Sequence, residues 1–192
     1  MKSSGAGRLT GKRKEDLVIT VSGYHGSGRS THALNLAETF NLRYVSSGTI
    51  FREMAKERGL DLETMSKLTE EIPELDRVID DRAKEASLNR GVVIDATLSG
   101  WVAVDPDLRI FLTAPLESRV KRIAYRENIS LEEARRETQV RGESERERFL
   151  KYYDIDIRDL SIYDVILNTD LFEPEATARI LKRIVGEYLK VD

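Results

Sequence analysis

The sequence has 192 residues, of which 40% are hydrophobic and 34% are charged, and this length suits one domain with a hydrophobic core. The charges nearly cancel to a net −3, so the chain lacks the basic excess of a nucleic-acid-binding protein. The absence of cysteine and the total of two histidines exclude a disulfide framework, a thiolate metal site and a histidine-rich metal centre.

The N-terminal residues are small, polar and basic, and we expect residues 1–15 to form a disordered tail before one domain at residues 16–192. No apolar run approaches the length that spans a bilayer, and the N-terminus lacks the apolar core of a signal peptide. We therefore expect a cytoplasmic protein without a membrane partner. We also expect it to be a monomer, with nucleic acid unlikely as a partner.

Short apolar runs alternate with helical patterns along the rest of the chain. We predict strands at residues 17–21, 43–45, 92–95, 108–112 and 164–168. We predict helices up to about residue 40, over much of 48–88 with breaks near Gly59 and Pro73, at about 115–126, from a capping box at Ser130 and Glu133 to about 150, and from about Pro174 onward. This alternation is typical of an α/β fold, here a five-stranded parallel sheet flanked by helices. Ligands in such folds bind beyond the carboxyl ends of the strands.

A glycine-rich loop follows the first predicted strand. It consists of Gly23, Tyr24, His25, Gly26, Ser27, Gly28, Arg29, Ser30 and Thr31. The loop matches G-x-x-x-x-G-K-[ST], the phosphate-binding loop (P-loop), except that Arg29 replaces lysine. Glycines let main-chain N–H groups surround an anion, and the positive end of the following helix points at the same phosphates. The loop therefore predicts an ATP site, with the Ser30 hydroxyl as a ligand of Mg²⁺.

Arg29 departs from the motif. Arginine keeps the positive charge of lysine, but it is bulkier and planar. The change fits either a working site in a slightly remodelled pocket or a degraded site, and we favour a working site because the other residues that such a site requires are present along the chain. His25 is interpreted as a loop side chain near the nucleotide, and catalysis does not require it as a base.

Several segments together are similar to a known family. They are residues 17–40, 46–55, 76–82 and 153–169, and the resemblance extends over about residues 17–189. The chain resembles the archaeal type of cytidylate kinase, within the nucleoside monophosphate kinases. The resemblance implies a P-loop kinase with an acceptor-binding helical insert at about 48–88 and a lid at about 128–150.

The resemblance also implies an acceptor site. Arg52 would hold the phosphate of the acceptor, because a guanidinium group forks onto two phosphate oxygens. Asp80 and Arg82 would lie near the acceptor nucleoside, and the alternative for this pair is a solvated helix face. The implied acceptor-binding residues are Ser47, Gly48, Arg52, Asp80, Arg82 and Thr97.

On the donor side, the resemblance assigns Arg122 and Arg126 to the base and phosphates of ATP. Arg141 and Arg148 resemble lid arginines that stabilise the phosphoryl group in flight, so together with Arg29 they are the predicted catalytic residues. The alternative for the lid arginines is a charged surface helix held by ion pairs. Asp95, which ends the third predicted strand, would hold a Mg²⁺-bound water, or else it is a turn or capping aspartate.

Thr97 is a second departure, because the related cytidylate kinases have an arginine there that grips the acceptor's phosphate. Losing such a charge-assisted contact costs about 1.5–3 kcal/mol, so either another arginine compensates or the acceptor differs. We predict an enzyme that uses ATP and Mg²⁺ to phosphorylate CMP or dCMP. The alternatives are a related kinase for UMP, AMP or another small acceptor, and a nucleotide-binding module with a decayed site.

Overall fold

The computed structural model describes residues 13–61, 64, 65, 68, 72 and 74–189. Residues 1–12 of the predicted tail lie outside this part. At the end of the predicted tail, Lys14–Asp16 form a 3₁₀ turn. The turn is held because Arg90 Nε donates a 2.8 Å hydrogen bond to the Asp16 carbonyl. Gly91 leaves room for the backbone there, as a β-carbon on it would lie 2.6 Å from the Glu15 oxygen.

Five strands form one sheet within the described residues. They are β1 (Val18–Gly23), β2 (Arg43–Ser46), β3 (Val92–Asp95), β4 (Leu108–Thr113) and β5 (Val165–Asn168). The helices are α1 (Arg29–Phe40), α2 (Ser47–Glu57), α3 (Glu74–Leu88), α4 (Ser99–Val102), α5 (Leu116–Glu127), α6 (Leu131–Tyr153) and α7 (Pro174–Leu189). The short helix α4 was not predicted. None of these helices is both long enough and apolar enough to cross a membrane.

The strands are parallel and run in the order β2-β3-β1-β4-β5, which confirms the predicted five-stranded parallel sheet. The register pairs Asp95 with both Val21 and Ser46, and pairs Gly23 with Leu112. The carboxyl ends of β1, β2 and β3 therefore lie side by side. This is the edge at which parallel α/β sheets bind ligands.

Alternate residues of the strands pack on opposite faces of the sheet. On one face, Ile19 and Val21 pack with Leu36 of α1 and Leu181 of α7. On the other, Val18 and Ile94 share a cluster with residues of α2 and α3. Both faces of the sheet are thus covered, which explains why its strands read as continuous apolar runs rather than as alternating ones.

Helix α6 stands apart from these two clusters. It begins at the Ser130 cap, whose hydroxyl accepts a 3.1 Å hydrogen bond from the Glu133 amide. Its buried residues are few for 23 residues, namely Ala134, Thr138 and Phe149. Ala134 packs with Val120 and other residues of α5 in a separate small cluster. Most of α6 therefore lies outside the main hydrophobic clusters.

Candidate active site

The glycine-rich loop joins β1 to α1 at the carboxyl edge of the sheet. Gly26 and Gly28 have φ angles of 79° and 83°, a region that favours glycine. A β-carbon on Gly26 would also lie 2.9 Å from the Arg119 carbonyl oxygen of α5. Gly28 caps α1 without a side-chain hydrogen bond, so the first amides of that helix are left for another acceptor. The loop encloses a cavity of about 90 Å³ that Arg29, Ser30 and Arg126 help to line. This is the arrangement that binds phosphate.

Two arginines of α5 hold the loop in place. Arg119 donates to the carbonyl of His25 at 3.2 Å, and its guanidinium lies 5.2 Å from the centre of the Tyr24 ring. Arg122 Nη1 donates to Thr169 Oγ1 at 2.9 Å, and that hydroxyl lies 2.9 Å from the Ser27 carbonyl oxygen, to which it donates. The end of β5 is thereby tied to the loop.

A donor-side cavity of about 290 Å³ lies between this loop and α5. Its lining residues are Gly26, Ser27, Gly28, Thr31, His32, Arg122, Ile123, Arg126, Thr169 and Pro174. Of the three arginines predicted for ATP, Arg122 and Arg126 are among them and Arg29 is not. Arg126 is mostly exposed and pairs with Glu127 at 2.8 Å, so its guanidinium has freedom to reorient toward a ligand.

An acceptor-side cavity of about 260 Å³ opens on the other side of the loop. Its lining residues are Arg29, Ser47, Gly48, Phe51, Ile79, Asp80, Thr97, Leu98, Arg141, Glu145, Arg148 and Phe149. The three predicted catalytic arginines therefore share one cavity with four of the six predicted acceptor residues. They come from the loop, the insert helices α2 and α3, the end of β3 and helix α6.

The other two predicted acceptor residues do not line this cavity. Arg82 forms an ion pair with Glu57 at 2.5 Å, which joins α3 to α2. Arg52 is exposed, although its Nη1 lies only 3.6 Å from the place where a β-carbon on Gly48 would be. Arg52 therefore borders the rim of the cavity at Gly48, whereas Arg82 serves the packing of the insert.

Arg29 reaches away from its own helix to the end of β3. Its Nε donates to Asp95 Oδ1 at 2.5 Å, and its Nη1 donates to Thr97 Oγ1 at 3.0 Å. Asp95 is 1% exposed, and its second oxygen accepts a 2.7 Å hydrogen bond from the Tyr44 hydroxyl. Burial, and then the negative charge of Asp95, raises the pKa of Tyr44 to about 12, so the phenol stays protonated and donates.

The groups predicted for Mg²⁺ lie around this tyrosine. The Tyr44 hydroxyl interacts with Ser30 as well as with Asp95, so the Ser30 hydroxyl and the Asp95 carboxylate are neighbours. In the described part of the chain there is no cluster of three or more His, Cys, Asp or Glu side chains suited to a metal. A hydroxyl and a carboxylate beside a phosphate cavity fit Mg²⁺, which takes few protein ligands and keeps waters and substrate phosphate oxygens.

Helix α6 contacts the phosphate loop through Arg141. Arg141 Nη1 lies 3.0 Å from Nε2 of His25, and Arg141 Nε pairs with Glu145 at 3.1 Å. Burial, followed by the positive charge of Arg141 and of three further arginines, lowers the pKa of His25 to about 3. The imidazole is therefore neutral at physiological pH, and its Nε2 is the acceptor of the arginine's hydrogen bond.

Sequence reasoning missed three residues that shape the site, namely Tyr44, Tyr153 and Thr169. Thr169 directly follows β5 at the ligand-binding edge, so its position in the sequence was an available signal. Tyr44 lies in a predicted strand just before residues 46–55, but nothing in the sequence indicated its contact with Asp95. Tyr153 ends α6 and donates a 2.8 Å hydrogen bond to Asp80, and no local pattern marks that contact.

Comparison with a known family and with solved structures identifies the fold. Residues 22–141, more than half of the chain, match a family described as an AAA domain. Shikimate kinase from Acinetobacter baumannii, solved in complex with shikimate, aligns with a TM-score of 0.57 and 19% identity over 92% of this chain and 97% of that chain. Shikimate kinase from Bacteroides thetaiotaomicron aligns with a TM-score of 0.59 and 14% identity over 88% and 98%. At these identities the likeness shows the fold alone, which together with the loop defines a P-loop kinase.

The curated relatives are closer in sequence. The cytidylate kinase of Staphylothermus marinus is 44% identical over 175 residues, which cover 91% of this chain and 99% of the relative. The cytidylate kinase of Pyrococcus abyssi is 47% identical over 176 residues, or 91% and 97%. That of Pyrococcus horikoshii is 46% identical over 172 residues, or 90% of each chain. The chain belongs to the cytidylate kinase family, which confirms the resemblance inferred from its motifs.

Proposed function

We propose that this protein transfers the terminal phosphoryl group of ATP to CMP or dCMP, giving ADP and the nucleoside diphosphate. The observation that carries this proposal is the acceptor-side cavity, where arginines from the phosphate loop and from α6 face residues of the insert helices. The two substrates would meet at the loop, the donor from the α5 side and the acceptor from the α2 and α3 side. Phosphoryl transfer needs mainly such positioning and charge neutralisation, without a covalent intermediate.

The loop would bind the phosphates of ATP through main-chain amides and the positive end of α1. Arg122 and Arg126 would contact the donor from the cavity that they line with the loop. Ser30 and Asp95 would hold Mg²⁺, with the carboxylate acting on a water of the ion. Bound there, Mg²⁺ would supply positive charge that offsets the negative charge of the phosphates.

The acceptor's base would lie toward Asp80. A carboxylate accepts hydrogen bonds and so suits the exocyclic amino group of cytosine, whereas uracil presents a carbonyl oxygen at that place. The hydrogen bond from Tyr153 holds the carboxylate from the α6 side. This chemistry supports cytosine over uracil as the acceptor base.

Arg141 and Arg148 would stabilise the negative charge on the transferred group, with α6 acting as a lid. Support comes from their place on the shared cavity and from the Arg141 contact with His25 of the loop. Closure of α6 over the loop would limit access of water, the competing acceptor. We favour a working site over a decayed one because the cavity has both the arginines that would bind phosphate and the Asp80 carboxylate that would bind the base.

An acceptor panel tests the proposal. With ATP and Mg²⁺ held constant, the rate of ADP formation is measured for CMP, dCMP, UMP and AMP separately. We expect kcat/KM for CMP to exceed that for UMP and AMP by about tenfold or more, because the cavity hydrogen-bonds one base edge. A preference for UMP or AMP would overturn the choice of acceptor, and ATP binding without turnover on any acceptor would show a decayed site.

Two aspartates of α3 provide a matched pair of variants for the same panel. Asp80→Asn changes the carboxylate that lines the cavity, whereas Asp81→Asn changes its exposed neighbour. We expect Asp80→Asn to reduce the preference for CMP over UMP by about tenfold, since the amide donates as well as accepts. Asp81→Asn should leave the preference for CMP unchanged.

The monomeric state and the cytoplasmic location stay predictions. Light scattering of the purified protein tests the monomeric state.

A further inference from the structure

The side chain of Arg29 has a place that the phosphate-loop motif does not explain. In the motif this position reaches the outer phosphates of the donor. Here the guanidinium crosses to β3, where it contacts Asp95 and Thr97 and lines the acceptor-side cavity. Its third protein contact is the Gly23 carbonyl, which accepts from Nη1 at 3.3 Å. The contacts thus direct the arginine toward the acceptor half of the site.

The hydrogen bonds of the Arg29 guanidinium leave one of its three nitrogens for a ligand. Nε donates to Asp95, and Nη1 donates to Thr97 and to Gly23. Nη2 has no hydrogen bond to any residue that the structure describes. The side chain is 18% exposed and lines the acceptor-side cavity. A lysine ammonium has three donors that rotate about one nitrogen, whereas the planar guanidinium holds its donors on three nitrogens in a fixed arrangement.

Thr97 is one of the anchors of the guanidinium. It lines the acceptor-side cavity, and its hydroxyl accepts a hydrogen bond from Arg29 Nη1. Ser47 and Gly48 line the same cavity from the start of α2, and Ser47 lies against the β3 terminus through a 3.5 Å contact of its hydroxyl with the Asp95 carbonyl. The guanidinium of Arg29 is therefore the positive charge in direct contact with the β3 end of the cavity.

Arg141 and Arg148 also line the cavity, from the α6 side. Arg141 pairs with Glu145 and with His25 of the loop. Arg52 borders the rim at Gly48 without lining the cavity. A nucleotide phosphate carries up to two negative charges and gains from two guanidinium groups on opposite sides. Arg29 at the β3 end of the cavity and Arg52 at its Gly48 rim would provide two such groups.

Building on the proposed function, we propose that Arg29 binds the phosphate of the acceptor nucleotide as well as facing the donor. It would supply at the end of β3 the positive charge that Thr97 lacks, while Thr97 and Asp95 hold its fork in position. The donor's phosphates depend less on this side chain because the loop amides and the helix terminus already bind them. One arginine would then touch both substrates across the reaction centre.

Binding measurements separate this role from a donor-only role. Calorimetry with CMP, and with cytidine as a ligand that lacks the phosphate, is carried out on the whole protein and on Arg29→Lys. Losing a charge-assisted phosphate contact should weaken CMP binding by about 10- to 100-fold and leave cytidine binding unchanged. If Arg29→Lys weakens only ATP binding and leaves CMP binding at the wild-type value, the proposal is wrong.

A second variant moves the guanidinium instead of removing it. Thr97→Arg combined with Arg29→Lys places an arginine on the β3 side of the same cavity. We expect CMP binding to recover to within about threefold of wild type, because the two positions act on one phosphate and are coupled. A double variant that binds CMP no better than Arg29→Lys alone would contradict the proposal.

Controls keep the outcomes distinct. Arg183→Lys changes an exposed arginine of α7 that pairs with Glu187 far from the loop, and it should bind both nucleotides as wild type does. Thermal unfolding of each variant shows whether the fold is retained. Failure of the wild-type protein to phosphorylate CMP would refute the proposed function, whereas CMP turnover with unaltered CMP affinity in Arg29→Lys would refute the role of Arg29 alone.

Discussion

The Tyr153 hydroxyl at the end of α6 donates a 2.8 Å hydrogen bond to Oδ2 of Asp80 on α3. The two residues are 73 positions apart in the chain. This bond connects the helix proposed as the lid to the helix proposed to bind the acceptor's base. The bond would therefore link the proposed binding of the acceptor at Asp80 to the proposed closure of α6.

The first prediction concerns this bond. In Tyr153→Phe, Asp80 loses a donor and its carboxylate is less well positioned for the acceptor. We expect the KM for CMP to rise about 3- to 10-fold, which corresponds to one hydrogen bond, with the KM for ATP unchanged. Steady-state kinetics with each substrate varied in turn measure this. Tyr152→Phe is the control, because the Tyr152 hydroxyl has no hydrogen bond within the described residues, and an equal effect of both variants would refute the prediction.

The second prediction concerns Thr169, which is 4% exposed and joins Arg122 to the loop carbonyl of Ser27. Thr169→Val leaves buried polar groups without a partner, so the free energy of unfolding should fall by about 1–3 kcal/mol. ATP binding should weaken as the loop loosens. Thr177→Val is the matched control, since Thr177 is also buried but its hydroxyl has no partner in the described structure. Chemical denaturation should show no loss of stability for the control.

The third prediction concerns Gly26. Alanine at a φ of 79° is strained, and its β-carbon would press on Arg119 and Ile123 of α5. We expect Gly26→Ala to weaken ATP binding by about tenfold or more, because backbone strain of about 1–3 kcal/mol shifts the loop. Gly186→Ala, in open space on α7, should instead stabilise the protein by about 0.5–1 kcal/mol. Loss of ATP affinity in both variants would contradict this expectation.

The fourth prediction concerns pH. The pKa of His25 is about 3 in the folded protein against an ordinary 6.5, so the unfolded chain binds a proton between these values and the folded protein does not. Stability contributed by neutral His25 is therefore complete above pH 6.5 and is lost as the pH falls toward 3. Between pH 7 and pH 5 the loss should reach up to about 2 kcal/mol. Denaturation of the wild type and of His25→Gln at both values measures it.

Glutamine is chosen because its side-chain oxygen can also accept from Arg141, while it does not titrate. Between pH 7 and pH 5 the free energy of unfolding of His25→Gln should fall by less than that of the wild type, and the difference should be up to about 2 kcal/mol. In an NMR titration, the His25 ring signals of the folded protein should not shift between pH 8 and pH 5. A titration midpoint near 6.5 would show that burial and the arginines do not act as described.

The sequence predicted the elements that depend on neighbouring residues. Strand β1, the glycine loop and α1 were located from one continuous segment, because loop geometry needs glycines at fixed positions. The apolar runs located all five strands to within a few residues, since buried parallel strands are apolar on both faces. The capping pattern at Ser130 located the start of α6 for the same local reason.

Contacts between distant segments were not predictable in this way. Arg29 meets Asp95 across 66 positions, and Thr169 meets Ser27 across 142. The helical spacing of charged residues predicted neither that Arg82 pairs with Glu57 nor that Arg52 lies at the rim of the cavity. Periodicity shows which face a residue shares, but the packing of that face against other elements decides what the side chain touches.

The amino-acid sequence by itself determined that this chain has a phosphate-binding loop on a parallel sheet, because main-chain geometry and strand burial are set by residue type within short segments. Only the tertiary structure decided which arginines converge on one cavity and that Arg29 turns toward Thr97. Those outcomes depend on sheet order and helix packing, where the energy of each contact is shared between residues far apart in the chain.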